Sequence, residues 1–237
     1  MVSPTDFPRR SFCYRKLAAA GARFEELNGA AVAMRYANAT DEDATARRMG
    51  IADLSPLPRV GFKGKGTADW LASQGLALPP EPNRTAAQPD GSLALRLAQE
   101  EIFLLGSLRG EAGMGKTLQD AWMAAGTPPA TARGFILPRA DTHAWFLVTG
   151  EHAAEMLAKI CGVDLRPAKF DNGRIAQTSA AKMGVVIARA DQGETLGYHV
   201  VADSASAEYL WSCIVDAMAE FNGGPVGLKA MQGLAAG

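Results

Sequence analysis

Apolar positions along this chain alternate with polar ones in some stretches and recur every three to four residues in others, which separates strands from helices. TDEDATARRMG predicts a helix over residues 40–50. Thr40 caps it, Asp41, Glu42 and Asp43 place negative charge in its first turn, Arg47 and Arg48 place positive charge in its last, and Gly50 ends it. IADLSPLPRVGFKG reads as extended, and KGTADWLASQG as a short helix with Trp70 and Leu71 inward and Gly75 as its stop. After a proline-rich loop, SLALRLAQEEIFLLG predicts two strands around a turn near Gln99–Glu100, with Leu93, Leu95 and Leu97 on one face.

TLQDAWMAAG predicts a helix and TPPATARG a loop; RGFILPRADTHAWFLVTG supplies one or two strands. GEHAAEMLAKICG is a helix with Met156, Leu157 and Ile160 inward. GRIAQTSAAKMGVVIARAD and LGYHVVAD are strands. In SASAEYLWSCIVDAMAEF, Leu210, Ile214, Ala217 and Phe221 form a helical stripe. The glycine-rich end, NGGPVGLKAMQGLAAG, is expected to be a flexible tail.

A weak repeat runs through the pattern. Gly64, Ala68 and Leu71 align with Gly150, Ala154 and Leu157, each set joining a strand to a short helix. Asp90–Gly91 likewise parallels Asn172–Gly173 ahead of strand-like residues. Two similar α+β halves of roughly 80–90 residues account for this.

Composition narrows the function classes. Of 237 residues, 48% are apolar and 21% charged, with a formal net charge of −1, which favours a soluble globular core over a nucleic-acid surface. No apolar run reaches the length of a membrane span and the start of the chain lacks a signal-peptide pattern, so a cytoplasmic location is expected. Cys13, Cys161 and Cys213 are too scattered for a disulfide framework, and Cys161 and Cys213 fit buried positions. His143, His152 and His199 lack metal-ligand spacing. Trp70, Trp122, Trp145 and Trp211 fit either core or interface positions.

Gly110–Thr117, GEAGMGKT, satisfies the phosphate-loop pattern G-x-x-x-x-G-K-[ST], in which Lys116 would reach phosphate and Thr117 would bind magnesium. Four residues separate its first glycine from the apolar strand EIFLL, and the downstream acids Asp191 and Asp203 are poorly placed for a second magnesium carboxylate. Too few helices follow for a parallel sheet. The competing reading is a glycine-rich turn ahead of a helix, with Lys116 solvated.

Other stretches carry a family resemblance. GARF, Tyr36, the acidic helix ending at Arg48 and Gly50, Asp53–Leu54–Ser55, Arg59 and Gly64 resemble the opening of the aminomethyltransferases, the T-proteins of the glycine cleavage system. FLVTGEHAAEMLAKICGVDLRPAKF, the DNGRIAQT turn with Gln177–Thr178, and SASAEYLWSCIVDAMAEF resemble the gamma subunit of heterotetrameric sarcosine oxidase. The resemblance implies an α+β fold: two ferredoxin-like α/β units of the aminomethyltransferase folate-binding fold, lacking the C-terminal barrel. The expected boundaries are 1–130 and 131–222, then the tail at 223–237.

The resemblance also implies where chemistry should sit. The family carries a pair of acids in the first unit, one of which serves methylene transfer to tetrahydrofolate. The corresponding stretch here is DGSLALRL, with Ala94, Leu95 and Arg96 where acids are expected, and those side chains cannot act as a general base. The implied role is an accessory subunit, without catalytic, cofactor-binding or metal residues of its own, in a complex oxidising or demethylating N-methyl amines: sarcosine, N-methylglutamate or dimethylamine. Flavin and tetrahydrofolate are then expected in the complex, with its other subunits as partners. A stand-alone folate-dependent transferase is the second reading, with Asp53, Arg59 and Asp141 as its polar candidates; in the plainer view Asp53 turns the chain and Arg59 is at the surface. A nucleotide-binding protein is the third.

Overall fold

The structure is a computed structural model that describes residues 1–37, 41–111, 113–126 and 129–235. The chain opens with β1 (Arg9–Arg10), α1 (Tyr14–Ala19), β2 (Ala22–Leu27), β3 (Ala30–Tyr36), α2 (Glu42–Met49) and β4 (Gly50–Asp53). There follow β5 (Arg59–Lys65), α3 (Thr67–Ser73), β6 (Arg84–Ala87), β7 (Leu93–Ala98), β8 (Glu101–Leu105), α4 (Gly113–Ala124), β9 (Arg133–Leu137) and α5 (Arg139–Thr142). The last third holds β10 (His143–Thr149), α6 (Ala153–Ala158), β11 (Ile175–Ala180), β12 (Met183–Arg189), β13 (Gly197–Asp203), α7 (Ala207–Met218), β14 (Gly224–Pro225) and α8 (Leu228–Ala235).

Two compact units result. Unit 1 comprises Met1–Pro56 with Thr142–Gly237, and unit 2 comprises Leu57–Asp141. This division differs from the expected boundaries at 130 and 222. The reason is strand pairing. β4 lies early in the chain but pairs antiparallel with β10, Asp53 opposite Phe146, so the first 56 residues join the last third. β9 pairs antiparallel with β5, Gly61 opposite Leu137, which holds residues up to Asp141 in unit 2.

Within unit 2 the sheet order is β6-β7-β8-β5-β9. β5, α3, β7, β8, α4 and β9 make a ferredoxin-like split βαβ arrangement with β6 added at one edge. Its core gathers Val60, Phe62, Ile102 and Leu104 of the sheet with Trp70, Leu71, Leu118 and Trp122 of the helices. Trp70 meets Trp122 edge-on at 4.9 Å, the favourable geometry for an aromatic pair.

Unit 1 repeats the pattern with its last strand drawn from elsewhere. Its larger sheet runs β11-β12-β13-β10-β4-β14. β10, α6, β12, β13 and α7 take the places of β5, α3, β7, β8 and α4, and β4 takes the place of β9. Phe146, Val148, Ile187 and Val200 pack against Met156, Leu157, Leu210, Trp211 and Ile214 in one cluster. Burying each such side chain fully is worth roughly 1.5–3 kcal/mol before conformational entropy is set against it. All four tryptophans are therefore core residues of one unit or the other.

The repeat seen in the sequence marks equivalent joints. Gly64 (φ +130°) and Gly150 (φ +113°) leave β5 and β10 in a conformation that favours glycine. A Cβ at Gly64 would lie 2.4 Å from the Arg133 carbonyl oxygen, and one at Gly150 2.3 Å from the Arg48 carbonyl carbon. Ala68 and Leu71, like Ala154 and Leu157, bury the helices that follow.

Three local expectations change. Thr40 lies outside the described residues; the cap of α2 is Asp41, whose carboxylate accepts the Ala44 N–H at 2.9 Å. Cys213 is half-buried, whereas Cys13 and Cys161 are buried; all three are free. The end of the chain is not a loose tail through residue 235. β14 pairs parallel with β4, and α8 buries Leu228, Met231 and Leu234. Their spacing gives α8 an apolar face that outweighs the glycines around it. Glu42 ties this end down, accepting the Tyr36 N–H at 2.9 Å and the Gly227 N–H at 2.5 Å. Among the described residues no helix is long and apolar enough to cross a membrane.

Candidate functional site

GEAGMGKT covers part of the segment after β8 and the first residues of α4, Gly113 to Thr117, with Ala112 outside the described residues. β8 is antiparallel to both of its neighbours, β7 and β5, so the strand does not feed a parallel crossover. The positive end of α4 already holds an anion of this chain. Asp90 Oδ2 accepts the Met114 N–H at 2.6 Å. Its Oδ1 accepts the Ser92 hydroxyl at 2.6 Å and the Ser92 N–H at 3.0 Å. Gly113 (φ +47°) admits this approach, since a Cβ there would stand 2.4 Å from Asp90 Oδ2.

The other phosphate-loop groups are also engaged. Lys116 Nζ reaches both carboxylate oxygens of Asp120, at 2.5 and 2.6 Å, one helical turn along α4. Thr117 Oγ1 donates to the Gly113 carbonyl at 3.3 Å. Asp191 pairs with Arg189 at 2.7 Å, and Asp203 accepts the Ala205 N–H at 2.8 Å. Gly113–Thr117 thus forms a capped helix start, with its lysine in a solvated i,i+4 pair.

Burial pushes the Asp90 carboxyl up, but the Ser92 hydroxyl and the Met114 and Ser92 N–H groups together hold it below the ordinary carboxylate range. β7, just beyond, supplies no acid. Ala94 and Leu95 are buried, and the Arg96 guanidinium donates to the carbonyls of Pro79 (2.8 Å), Pro80 (3.0 Å) and Gln99 (3.1 Å). Arg96 is a loop clamp for the 79–82 segment.

Asp53, at the end of β4, is the centre of a buried polar group in unit 1. Its carboxylate accepts the Ser11 hydroxyl and, at 2.8 Å, the Ser55 N–H. Ser11 Oγ in turn accepts the Cys13 N–H at 2.8 Å, and Ser55 Oγ accepts the Trp145 N–H at 3.0 Å. Asp53 therefore fastens the N-terminal segment and the end of β4 to β10. Burial raises the Cys13 thiol and the Tyr36 phenol, and the Asp53 charge raises both further, so each stays protonated at neutral pH. Nearby, Trp145 Nε1 donates to His199 Nδ1 at 2.9 Å, and burial holds His199 down at about 4.

Arg59 is 6% exposed, not a surface residue as its charge suggested. It donates to the Leu57 carbonyl at 3.0 Å and the Ala140 carbonyl at 2.8 Å, joining the start of unit 2 to its end. Asp141 lies in α5, its N–H donating to the Pro138 carbonyl at 3.1 Å. Asp53 falls in unit 1, and Arg59 and Asp141 in unit 2. Among the described residues no three His, Cys, Asp or Glu side chains gather as a metal site. Asp90 was visible in the sequence only as a turn residue; its helix-capping role depends on a partner 24 residues away.

The paired ferredoxin-like units and the family-level comparison converge. The model of the GCVT N-terminal domain matches residues 90–236. The chain belongs to the GCVT family. This GCVT chain is 27% identical over 225 residues to the aminomethyltransferase of Mycobacterium avium (strain 104), covering 89% of this chain and 57% of the relative. It is 26% identical over 222 residues to that of Mycobacterium leprae (strain Br4923), with the same coverage. It thus spans little more than half the length of these relatives. Among solved structures, it shares the fold of the glycine cleavage system aminomethyltransferase T from Bartonella henselae, with TM-score 0.72, 17% identity, and 95% and 61% of the two chains covered. It also shares the fold of a chain of the heterotetrameric sarcosine oxidase from Corynebacterium sp. U-96 in complex with pyrrole 2-carboxylate, with TM-score 0.61, 24% identity, and 78% and 93% covered. The GCVT match includes Asp90 and β7, where this chain carries a helix cap and Ala94, Leu95 and Arg96.

Proposed function

We propose that this chain is a non-catalytic accessory subunit of a cytoplasmic amine-oxidising or N-demethylating complex, in which partner subunits carry the flavin and tetrahydrofolate chemistry. The observation that carries the reading is the state of Asp90. Its two oxygens take three hydrogen bonds within the chain, and β7 beyond it offers Ala94, Leu95 and Arg96 but no base. On this reading the engaged Asp90 and an acid-free β7 leave the proton transfer of methylene transfer to folate to another chain. A family fold that keeps its packing without that acid is suited to positioning other chains. The likeness to a chain of a heterotetrameric assembly, covered over 93% of that chain, supports the same reading. The amine would be a small secondary or tertiary N-methyl amine such as sarcosine.

The test is purification of the tagged chain from its native cell, with mass spectrometry of what accompanies it and an absorption spectrum of the product. Stoichiometric flavoprotein partners and amine-dependent reduction of the flavin are expected. Recovery of the chain alone would overturn the proposal.

A second reading, a folate-dependent transferase acting alone, is favoured by the 27% identity to an aminomethyltransferase across 89% of this chain. It requires tetrahydrofolate to bind the isolated chain, with loss of binding on replacing Asp53. Calorimetry with tetrahydrofolate separates it from the accessory role.

A further inference from the structure

The start of α3, the turn between β7 and β8, and the segment leading into β9 line a surface pocket of about 380 Å³ within unit 2. That volume falls in the size class of small-molecule sites. Lys65, Asp69, Glu100 and Arg133 bring two cations and two carboxylates to its lining. Opposite charges gathered this closely usually pair. Here, among the described residues, neither cation forms an ion pair with either acid.

The backbone holds the two signs on different elements. Lys65 ends β5 and Arg133 begins β9, directly opposite one another in the antiparallel register. Like charges so placed repel, a cost that an anion between them removes. Asp69 belongs to the first turn of α3, and Glu100 to the turn before β8. Glu100 is fixed at two points: its Oε2 accepts the Ala68 N–H at 3.1 Å, and its carbonyl accepts the Gly64 N–H at 2.9 Å. Gly66 (φ +77°) lets the segment before β9 lie against the start of α3, since a Cβ there would stand 2.6 Å from the Thr131 carbonyl oxygen.

The uncharged lining, Gly66, Ala130 and Thr131, is small and has no large apolar side chain. A simple anion would answer the cations and leave the carboxylates unmatched. A simple cation would leave Lys65 facing Arg133. A ligand with a carboxylate, an ammonium and a short polar remainder answers every group.

We propose that this pocket binds a small polar α-amino acid as its zwitterion, with the carboxylate toward Lys65 and Arg133 and the ammonium toward Asp69 and Glu100. The pocket lies wholly in unit 2 and needs no partner chain, so the inference stands apart from the accessory-subunit reading.

Titration of L-serine into the isotope-labelled full chain, followed by heteronuclear NMR, tests it. Saturable shifts are expected at the lining residues, with affinity falling as salt rises. L-Serinamide lacks the carboxylate and N-acetyl-L-serine lacks the ammonium. Each is expected to bind at least about tenfold more weakly, the worth of one charge-assisted hydrogen bond. Arg133→Gln should erase the preference for serine over serinamide, and Asp69→Asn the preference for serine over N-acetylserine. A side chain with only a structural role would not move one preference and spare the other. Both side chains are exposed, so thermal melts of the variants should match the parent. Absence of saturable shifts at the lining, or preferences that neither variant changes, overturns the proposal. Serinamide or N-acetylserine binding as tightly as serine would make this a simple cation or anion site and overturn it too. Serine binding without any native co-purifying flavoprotein would leave the pocket standing and remove the amine-oxidising reading alone.

Discussion

The carboxylate of Asp90 and the backbone N–H of Met114 meet at 2.6 Å, so the first turn of α4 is capped by a side chain from the turn before β7. Replacing Asp90 with alanine is expected to lower stability by about 1 kcal/mol, the usual worth of such a cap, with loss of helix dipole compensation included. Urea unfolding of the two proteins measures this. Because its folded pKa is depressed, Asp90 stabilises above the ordinary carboxylate range and loses that effect as pH falls through the folded value. The Asp90→Ala difference should therefore shrink in acid. A variant that gained ATP binding would instead revive the nucleotide reading.

His199 makes a second pH-dependent contribution, at a different place. The unfolded imidazole takes its proton near 6.5 and the buried one only near 4. The unfolded chain then binds more protons across that interval, so stability is full above 6.5 and declines as pH falls toward 4. The size is on the order of 3 kcal/mol. His199→Gln retains an acceptor for Trp145 Nε1 and should flatten the slope between these limits. Equal slopes in parent and variant would show that His199 does not titrate as its burial requires.

The hairpin between β11 and β12 turns through Ala181 (φ +49°) and Lys182 (φ +65°), two non-glycine residues in the left-handed region. A two-residue turn of this hand suits Asn-Gly. Ala181→Asn with Lys182→Gly is expected to raise stability by about 1 kcal/mol by relieving the left-handed strain. A thermal melt that moved down would mean that Lys182 does more than turn the chain.

Gly227 approaches β3 closely, and a Cβ there would stand 2.1 Å from the Met34 carbonyl oxygen. Gly227→Ala should cost more than about 2 kcal/mol, because backbone must move to admit the methyl group. Met231→Ala, which empties a fully buried site in α8, should cost about 2–5 kcal/mol. If both variants unfold at the parent's urea concentration, the last helix does not contribute to the fold.

Much of unit 2 and of the β10-to-α7 segment was legible because each element there has one apolar face: Leu95 and Leu97 in β7, Met156 and Leu157 in α6, Leu210 and Ile214 in α7. β4 was legible only as part of one extended stretch with β5, since its four residues are all buried and show no alternation that would set it apart. The N-terminal hairpin β2–β3 is marked in the sequence by Asn28–Gly29, both at positive φ, the residue pair that such turns favour. In α8 the spacing of Leu228, Met231 and Leu234 was overshadowed by neighbouring glycines. Of the candidate site, the absence of acids in β7 could be read from the residues. The engagement of Asp90 and the burial of Arg59 could not, because both depend on partners distant in sequence.

The supply of β4 from the start of the chain has a bearing on the order in which the molecule assembles. Leu57–Asp141 is continuous in sequence and supplies its own β9, so it can complete its sheet as soon as it leaves the ribosome. β4 must wait for β10, and Asp53 meets Phe146 only after the intervening residues have been made. Once those residues are folded, with Arg59 holding the Ala140 carbonyl, the loop that separates β4 from β10 is closed in advance. Most of the closure entropy for that late pairing has then been met by the inserted unit.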